Sequence, residues 1–357
     1  MELNPDICWK AVQARDARFD GRFFTGVVST GIYCRPVCPA RTPHRENVVF
    51  HRSAASAEAA GLRACLRCRP ETAPDMAAWR GSVSTVSRAM ALIEAGALDG
   101  GDVEGLAARL GVGGRHLRRL FRQHLGAAPV SVAQTRRVLL AKTLIHDSDL
   151  SMADVALASG FGSVRRFNET FQTLYGRPPS ALRRRGERTP SGGLTLSLGY
   201  RTPYDVAAMM QALARRSVEG ETVRGGVWTR RLSAAIDGAE GEVSVRDGGL
   251  GRLAVSAELS SLKALPGVLA RVRRVFDLAA DPEAIARDLA VDPVLAKVMA
   301  ERPGLRPPGD WITDDGRPDD RLDTDDPALA ARAGGWRPWR AYGALYWRRA
   351  METGEAR

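Results

Sequence analysis

At 357 residues, 44% of them apolar, the chain is long enough for two or three domains with separate cores. It has no apolar run long enough to cross a bilayer, and its start, Met1 to Pro5, lacks the basic and apolar regions of a signal peptide; membrane and secreted classes are set aside and a cytoplasmic location is expected. The net charge of +11 is unevenly placed: residues 1–188 hold 28 Lys+Arg against 17 Asp+Glu, and residues 189–357 hold 24 of each, the footprint of a nucleic-acid-binding portion ahead of a neutral one.

Four cysteines come first in chain order. Cys34, Cys38, Cys65 and Cys68 read C-x₃-C, a 26-residue gap, then C-x₂-C. Each short pair brings two sulfurs into one tetrahedral site, and two pairs complete a Cys₄ zinc centre. On spacing alone, an inert structural site is the more common reading. The fifth cysteine, Cys8, reads as an ordinary buried thiol, and this usage fits a reducing compartment. Short strands are expected at Gly26–Thr30 and Val48–Phe50, with a helix at Ala54–Ala60. Arg41, Arg45, Arg63 and Arg67 lie close to the cysteines and are candidate phosphate contacts. Residues 71–81 read as a linker.

The segments Gly21 to Phe24, Thr30 to Pro43 and Cys65 to Pro70 closely resemble the N-terminal domain of the Ada family of alkylation-repair proteins. The resemblance covers residues 5–75. It implies that the first of the four cysteines is both a zinc ligand and a nucleophile, taking a methyl group irreversibly from a methylphosphotriester in the DNA backbone. That role falls on Cys34, with Cys38, Cys65 and Cys68 as the remaining ligands. The chemistry is physically reasonable, because zinc deprotonates a coordinated thiol outright. Four thiolates on one Zn²⁺ leave about −2, and one methylation leaves about −1, so repair is expected to ease the approach of DNA. The transfer is stoichiometric, since a thioether has no easy leaving route.

Residues 82–185 contain an internal repeat with an offset of about 50 residues. Ala107-x₃-Gly111 matches Ala156-x₃-Gly160, Leu117-x₃-Phe121 matches Phe167-x₃-Phe171, and Gly126-x₂-Pro129 matches Gly176-x₂-Pro179. Each copy reads as a short helix, a glycine turn and a second helix: a helix-turn-helix given twice. The outward faces of the second helices carry Arg115, His116, Arg118, Arg119 and Arg122 in the first copy, and Arg165, Arg166, Asn168, Glu169 and Gln172 in the second. Arg, Asn and Gln can read base edges bidentately, whereas flanking arginines hold phosphates. A helical connector at Ser131–His146 would set the two readers in successive major-groove segments, roughly 34 Å apart. With the ending Phe171 to Ser180, the pair resembles the AraC-type DNA-binding domain, which the Ada family carries in the same position. The expected partner is double-stranded DNA, as methylated backbone and as promoter operator. An activator of this kind also implies RNA polymerase.

Residues 186–193 read as a second linker. A strand at Leu194–Leu198 and a helix at Tyr204–Arg215 follow, then strands near Thr222–Leu232, Gly241–Val245 and Arg252–Glu258, and a helix at Leu262–Asp277. Gly199 to Asp205, Val218 to Gly220 and Phe276 to Leu278 resemble the N-terminal domain of the AlkA family of alkylbase glycosylases, which implies a TATA-binding-protein-like α+β fold for residues 194–280. The resemblance runs on through Asp292 to Leu295, Arg302 to Leu305 and Pro308 to Trp311. The family's helix-hairpin-helix and excising Asp are not identifiable after that point. Asp310, Asp314, Asp315, Asp319 and Asp320 have no expected pocket or phosphate-binding hairpin, and Ile312 to Asp326 reads as acidic and poorly ordered. Gly335 to Trp347 resembles that family's last helix, leaving Trp336, Trp339 and Trp347 to dock on the remaining domain or to form an exposed patch. Ada's second methyl-accepting domain is not expected, because no cysteine follows Cys68.

The expected fold class is multidomain α+β: a small zinc-bound α/β module (1–75), an all-α double helix-turn-helix domain (82–185), a TATA-binding-protein-like α+β domain (194–280), and a partly disordered glycosylase remnant with a residual C-terminal helix (281–357). The expected activity is stoichiometric self-methylation by a DNA-bound regulator of alkylation-repair genes. Two rivals stand beside it: a glycosylase excising alkylated purines such as 3-methyladenine, and a regulator whose zinc is inert.

Overall fold

The structure, a computed structural model, describes residues 3–74, 83–183, 194–216, 218–312, 322, 324 and 326–353. Helix α1 (Pro5–Ala14) starts where the Asn4 side chain accepts the amides of Asp6 and Ile7, with Pro5 in the first turn, where its missing N–H is harmless. Its Cys8, Ala11 and Val12 pack on Phe23 and Phe50. Burial pushes the Cys8 thiol up, as expected of an inert buried cysteine. Strands β1 (Phe24–Val27), β2 (Ile32–Cys34) and β3 (Val48–His51), helix α2 (Ala54–Ala59) and strand β4 (Arg63–Ala64) complete the first module. The sheet order is β3-β1-β2-β4, antiparallel except for the parallel β2/β4 pair.

The strand expected at Gly26–Thr30 is displaced. It ends at Val27, where the amides of Thr30 and Gly31 fold back onto the Val27 carbonyl and Gly31 (φ +64°) turns the chain into β2. The linker expected at 71–81 is also corrected at its start. Residues 70–72 form a short 3₁₀ turn with Pro70 and Thr72 buried, and the Glu71 side chain is 1% exposed against Lys142. Residues 75–81 lie outside the described residues.

The repeat folds as read. Helices α3 (Val83–Glu94), α4 (Val103–Arg109), α5 (Gly114–Leu125), α6 (Pro129–Asp147), α7 (Met152–Ala158) and α8 (Val164–Tyr175) follow in order. Asp102, Ser151 and Ser163 cap α4, α7 and α8 with side-chain oxygens. The turns between paired helices pass through Gly111 and Gly160 at φ +70° and +89°, which a side chain would resist. The connector α6 belongs to both units: Val132 and Ala133 lie in the core of the first, and Val138, Ala141, Leu144 and Ile145 in the core that holds Phe167 and Phe171.

A five-stranded antiparallel sheet follows, in the order β5-β9-β8-β7-β6. Its elements are β5 (Leu194–Gly199), α9 (Val206–Arg215), β6 (Glu221–Arg224), β7 (Val227–Leu232), α10 (Ala234–Asp237), β8 (Gly241–Gly249), β9 (Arg252–Leu259) and α11 (Leu265–Val275). The single strand expected over Thr222–Leu232 is a hairpin. Gly225 and Gly226, both at positive φ, form the two-residue turn that glycine pairs favour. Trp228, Val245 and Val255 meet Val268, Leu269 and Val272 of α11 in its core.

Among its described residues, the region read as a remnant with one residual helix holds four α-helices: α12 (Pro282–Leu289), α13 (Pro293–Glu301), α14 (Pro327–Arg332) and α15 (Arg340–Thr353). Asp281-Pro282 and Asp292-Pro293 start the first two as capping pairs. Leu289, Leu295, Val298, Trp336, Trp339 and Tyr342 form a core of their own. The Trp336 and Trp339 indoles donate to Asp292 (3.1 Å) and Asp288 (2.8 Å), so these rings fill an interior and form no exposed patch. Most of the acidic stretch, residues 313–321, 323 and 325, lies outside the described residues, with Asp314, Asp315, Asp319 and Asp320 in it. No helix among the described residues is long and apolar enough to cross a membrane.

Candidate metal centre and DNA-reading helices

The parallel pairing of β2 with β4 builds the centre. Register partners Ile32/Arg63 and Tyr33/Ala64 bring Cys34 and Cys65 off the same end of neighbouring strands, tied by the Cys65 amide on the Tyr33 carbonyl at 3.0 Å. A turn closed by the Cys38 amide on the Arg35 carbonyl (3.1 Å) returns Cys38, and Cys68 returns two residues beyond Leu66. The ligand atoms of Cys34, Cys38, Cys65 and Cys68 all lie within 4.8 Å of one another. Tetrahedral Zn–S bonds of ~2.3 Å put sulfurs ~3.8 Å apart, so the set fits one Zn²⁺.

The thiols themselves call for a cation. Left alone, the Cys34 thiol donates hydrogen bonds to the sulfurs of Cys38, Cys65 and Cys68, which holds its proton and pushes it far up, while the bond it gives Cys38 brings that thiol down to about 7. Four such groups cannot all ionise without a positive charge between them.

The four sulfurs are not equivalent. Cys65 and Cys68 are buried, while Cys34 and Cys38 are half-buried. Amides donate to the sulfurs of Cys68 (Arg35, 3.4 Å) and Cys65 (Arg67, 3.3 Å), and the Ala40 amide faces Cys38. Among the described residues no amide donates to the Cys34 sulfur.

One element escaped the sequence reading. The Arg35 guanidinium binds the Asp20 carboxylate through Nε (2.8 Å) and Nη2, the Thr72 hydroxyl (2.7 Å) and the Cys68 carbonyl (3.3 Å). It straps one ligand loop to the other. A basic residue next to a zinc cysteine was visible in the sequence, but nothing linked it to Asp20 or Thr72.

Of the four arginines expected near the centre, Arg41 and Arg67 are exposed on the two ligand loops, with no side-chain partner among the described residues. Arg45 lies over the Trp9 and Phe50 rings at 5.7 and 5.4 Å, and Arg63 is half-buried in β4. On α5, Arg118 is engaged by Glu104 (2.9 and 3.1 Å) and Arg119 by His116 (3.1 Å), whereas Arg115 and Arg122 are exposed and unpaired among the described residues. On α8, Arg165 is held by Glu169 (2.8 Å), while the exposed side chains of Arg166, Asn168 and Gln172 have no partner among the described residues.

Comparison with known proteins finds family matches for three stretches of the chain. Residues 7–71 match the metal binding domain of Ada, residues 106–185 a helix-turn-helix domain, and residues 195–312 the AlkA N-terminal domain. The chain is 40% identical over 308 residues to the "Probable bifunctional transcriptional activator/DNA repair enzyme AlkA" of Mycobacterium tuberculosis, covering 84% of this chain and 62% of that relative. It is 30% identical over 184 residues to the bifunctional transcriptional activator/DNA repair enzyme AdaA of Bacillus subtilis, covering 51% of this chain and 84% of that relative. With the bifunctional transcriptional activator/DNA repair enzyme Ada of Escherichia coli the identity is 33% over 185 residues, covering 52% and 51%. The chain thus spans less than two thirds of the length of the M. tuberculosis relative.

Proposed function

We propose that this chain, which belongs to the Ada family of bifunctional transcriptional activators and DNA repair enzymes, moves the methyl group of a DNA methylphosphotriester onto its own Cys34 and binds promoter DNA through its two helix-turn-helix units. The observation that carries the choice of acceptor is the uncapped, half-buried sulfur of Cys34. Hydrogen bonds to a thiolate stabilise its charge and lower its nucleophilicity. Cys38, Cys65 and Cys68 carry that restraint; Cys34 does not.

Bound zinc supplies the positive charge that keeps the four cysteines as thiolates at neutral pH. The Cys34 thiolate attacks the methyl carbon of the triester. An S–CH₃ bond forms, the CH₃–O bond breaks, and its electron pair stays on the phosphate oxygen as a diester anion. No proton moves. Arg41 and Arg67, exposed beside the ligands, are placed to hold flanking phosphates. The thioether product removes one negative charge from the surface facing the DNA, which favours tighter binding after repair. Among the described side chains of α5 and α8, Arg115, Arg122, Arg166, Asn168 and Gln172 are exposed and placed to meet the operator.

We further read residues 1–75, 82–185, 194–280 and 281–357 as the four units of the chain, the third as a TATA-binding-protein-like fold on the strength of its antiparallel sheet and helices α9 and α11, and the fourth as a glycosylase remnant. RNA polymerase is the protein partner of this reading, and the cytoplasm its location.

A glycosylase reading has the AlkA-type match in its favour. The buried carboxylates near the end of that match are engaged elsewhere: Asp277 by Tyr342, Asp281 by Arg22, and Asp292 by Arg332 and Trp336. Base excision needs a carboxylate beside a flipped base. A duplex with one methylphosphotriester, offered at single and multiple turnover, tests the proposal. One methyl transferred per chain, then silence, is expected; catalytic release of 3-methyladenine from alkylated DNA, with no transfer to protein, overturns it.

A further inference from the structure

The second ligand pair does not stand on the zinc module alone. Arg69, immediately after Cys68 and at φ +52°, forks its guanidinium onto the Asp147 carboxylate at 3.0 and 2.8 Å. Asp147 is the last residue of α6. Two residues on, Glu71 accepts the Lys142 ammonium at 2.8 Å, with both side chains no more than 1% exposed. The same ammonium faces the carbonyl of the ligand Cys65 at 3.5 Å. Leu66, between Cys65 and Cys68, packs on the core that contains Val138, Ala141, Phe167 and Phe171. On the other ligand strand, the hydroxyl of Tyr33 donates to Glu58, whose second oxygen accepts Thr135 of α6 at 2.7 Å.

We propose that α6 is a working part of the metal centre, so that loading the site with zinc and ordering the DNA-reading domain are one linked equilibrium. The physical reason is the burial of Lys142. Its charge is tolerable inside the protein only while Glu71 neutralises it. Glu71 stays in place only while the 65–71 segment is folded, and zinc ligation is what fixes that segment. Loss of the metal therefore frees the loop, exposes Leu66 and strands Lys142 on the helix that joins the two readers. Linkage is reciprocal, so weakening the α6 contacts must weaken the hold on zinc by the same factor. The inference concerns the metal and the helix alone and does not depend on which cysteine accepts a methyl group.

The test uses the full chain, purified with zinc. Chelator-driven zinc loss is timed in the parent and in Asp147→Asn, Lys142→Met and Lys263→Gln, the last an exposed control ahead of α11. Backbone amide exchange of α6 is read with and without the metal, with β8 and β9 as internal reference. Asp147→Asn and Lys142→Met are expected to speed zinc release about tenfold, within the usual range of coupling between sites, and Lys263→Gln to leave it unchanged. Removing zinc should raise exchange over residues 135–147 by a similar factor while β8 and β9 hold. The Asp147 pair is partly exposed, so its variant folds even if Lys142→Met does not. Zinc release in Asp147→Asn within twofold of the parent, together with α6 exchange indifferent to the metal, overturns the proposal.

Discussion

The two turn glycines of the repeat occupy equivalent positions, yet alanine should cost very different amounts at each. Both sit in left-handed backbone, at φ +70° for Gly111 and +89° for Gly160, where an L side chain costs about 1–2 kcal/mol. At Gly111 an added Cβ meets nothing within 4 Å, so that penalty is the whole effect. At Gly160 the new carbon lands 2.2 Å from Asp99 Oδ2 and 2.7 Å from Arg136 Nη2. A carboxylate at the end of a side chain would normally swing aside. This one is held by Arg136 at 2.5 and 2.6 Å and by Arg137 at 2.8 Å, and the Arg136 side chain is only 5% exposed. Displacing Asp99 leaves a buried guanidinium without its partner, a loss of about 3–5 kcal/mol. Gly160→Ala should therefore destabilise by about 4–7 kcal/mol in all, against a domain stability of about 5–15 kcal/mol. Urea unfolding followed by circular dichroism measures both variants. Equal losses would refute the reasoning, because they would mean that Asp99 is free to move.

Two further predictions rest on other contacts. Arg122→Ala should lower the slope of log affinity against log salt for duplex DNA by about 1, whereas Arg118→Ala, which loses an arginine already engaged by Glu104, should change it less; anisotropy titrations at several salt concentrations decide. Burial pushes the Glu58 carboxyl up, outweighing the Thr135 and Tyr33 hydroxyls that favour its charged form. Its contribution to stability is accordingly full below its ordinary value of 4.5 and lost as pH rises through the raised folded value. Glu58→Gln should thus raise the melting temperature at pH 8 relative to the parent and lose that advantage at pH 4; a gain confined to acid would contradict the assignment.

The metal centre was legible because its chemistry is written in spacing: two short cysteine pairs admit few other readings, and the parallel strands that join them lie next to the ligands. The repeat was legible for a similar reason, since a glycine turn and a four-residue apolar period recur together. What sequence could not supply was contact between distant segments. Nothing in the sequence singled out Lys142, and Glu71 read as linker, until the fold buried them against each other. The paired glycines at 225 and 226 were a plain turn signal passed over inside a β-rich run. The tryptophans near the C-terminus were expected to dock on the remaining domain or to form an exposed patch; the core they fill instead escaped notice, because short helices such as α12 and α13 bury one narrow face each and give little periodicity to read.

The central claim is that one metal-held sulfur, that of Cys34, accepts the methyl group. The direct test is the mass of every cysteine-bearing peptide after the zinc-loaded chain meets a methylphosphotriester duplex, with Cys34→Ser treated in parallel. The account predicts one added methyl on the Cys34 peptide, none on those of Cys38, Cys65 and Cys68, and none anywhere in the variant. A methyl on one of the three capped cysteines, or an unshifted Cys34 peptide in protein that retains its zinc, would contradict it.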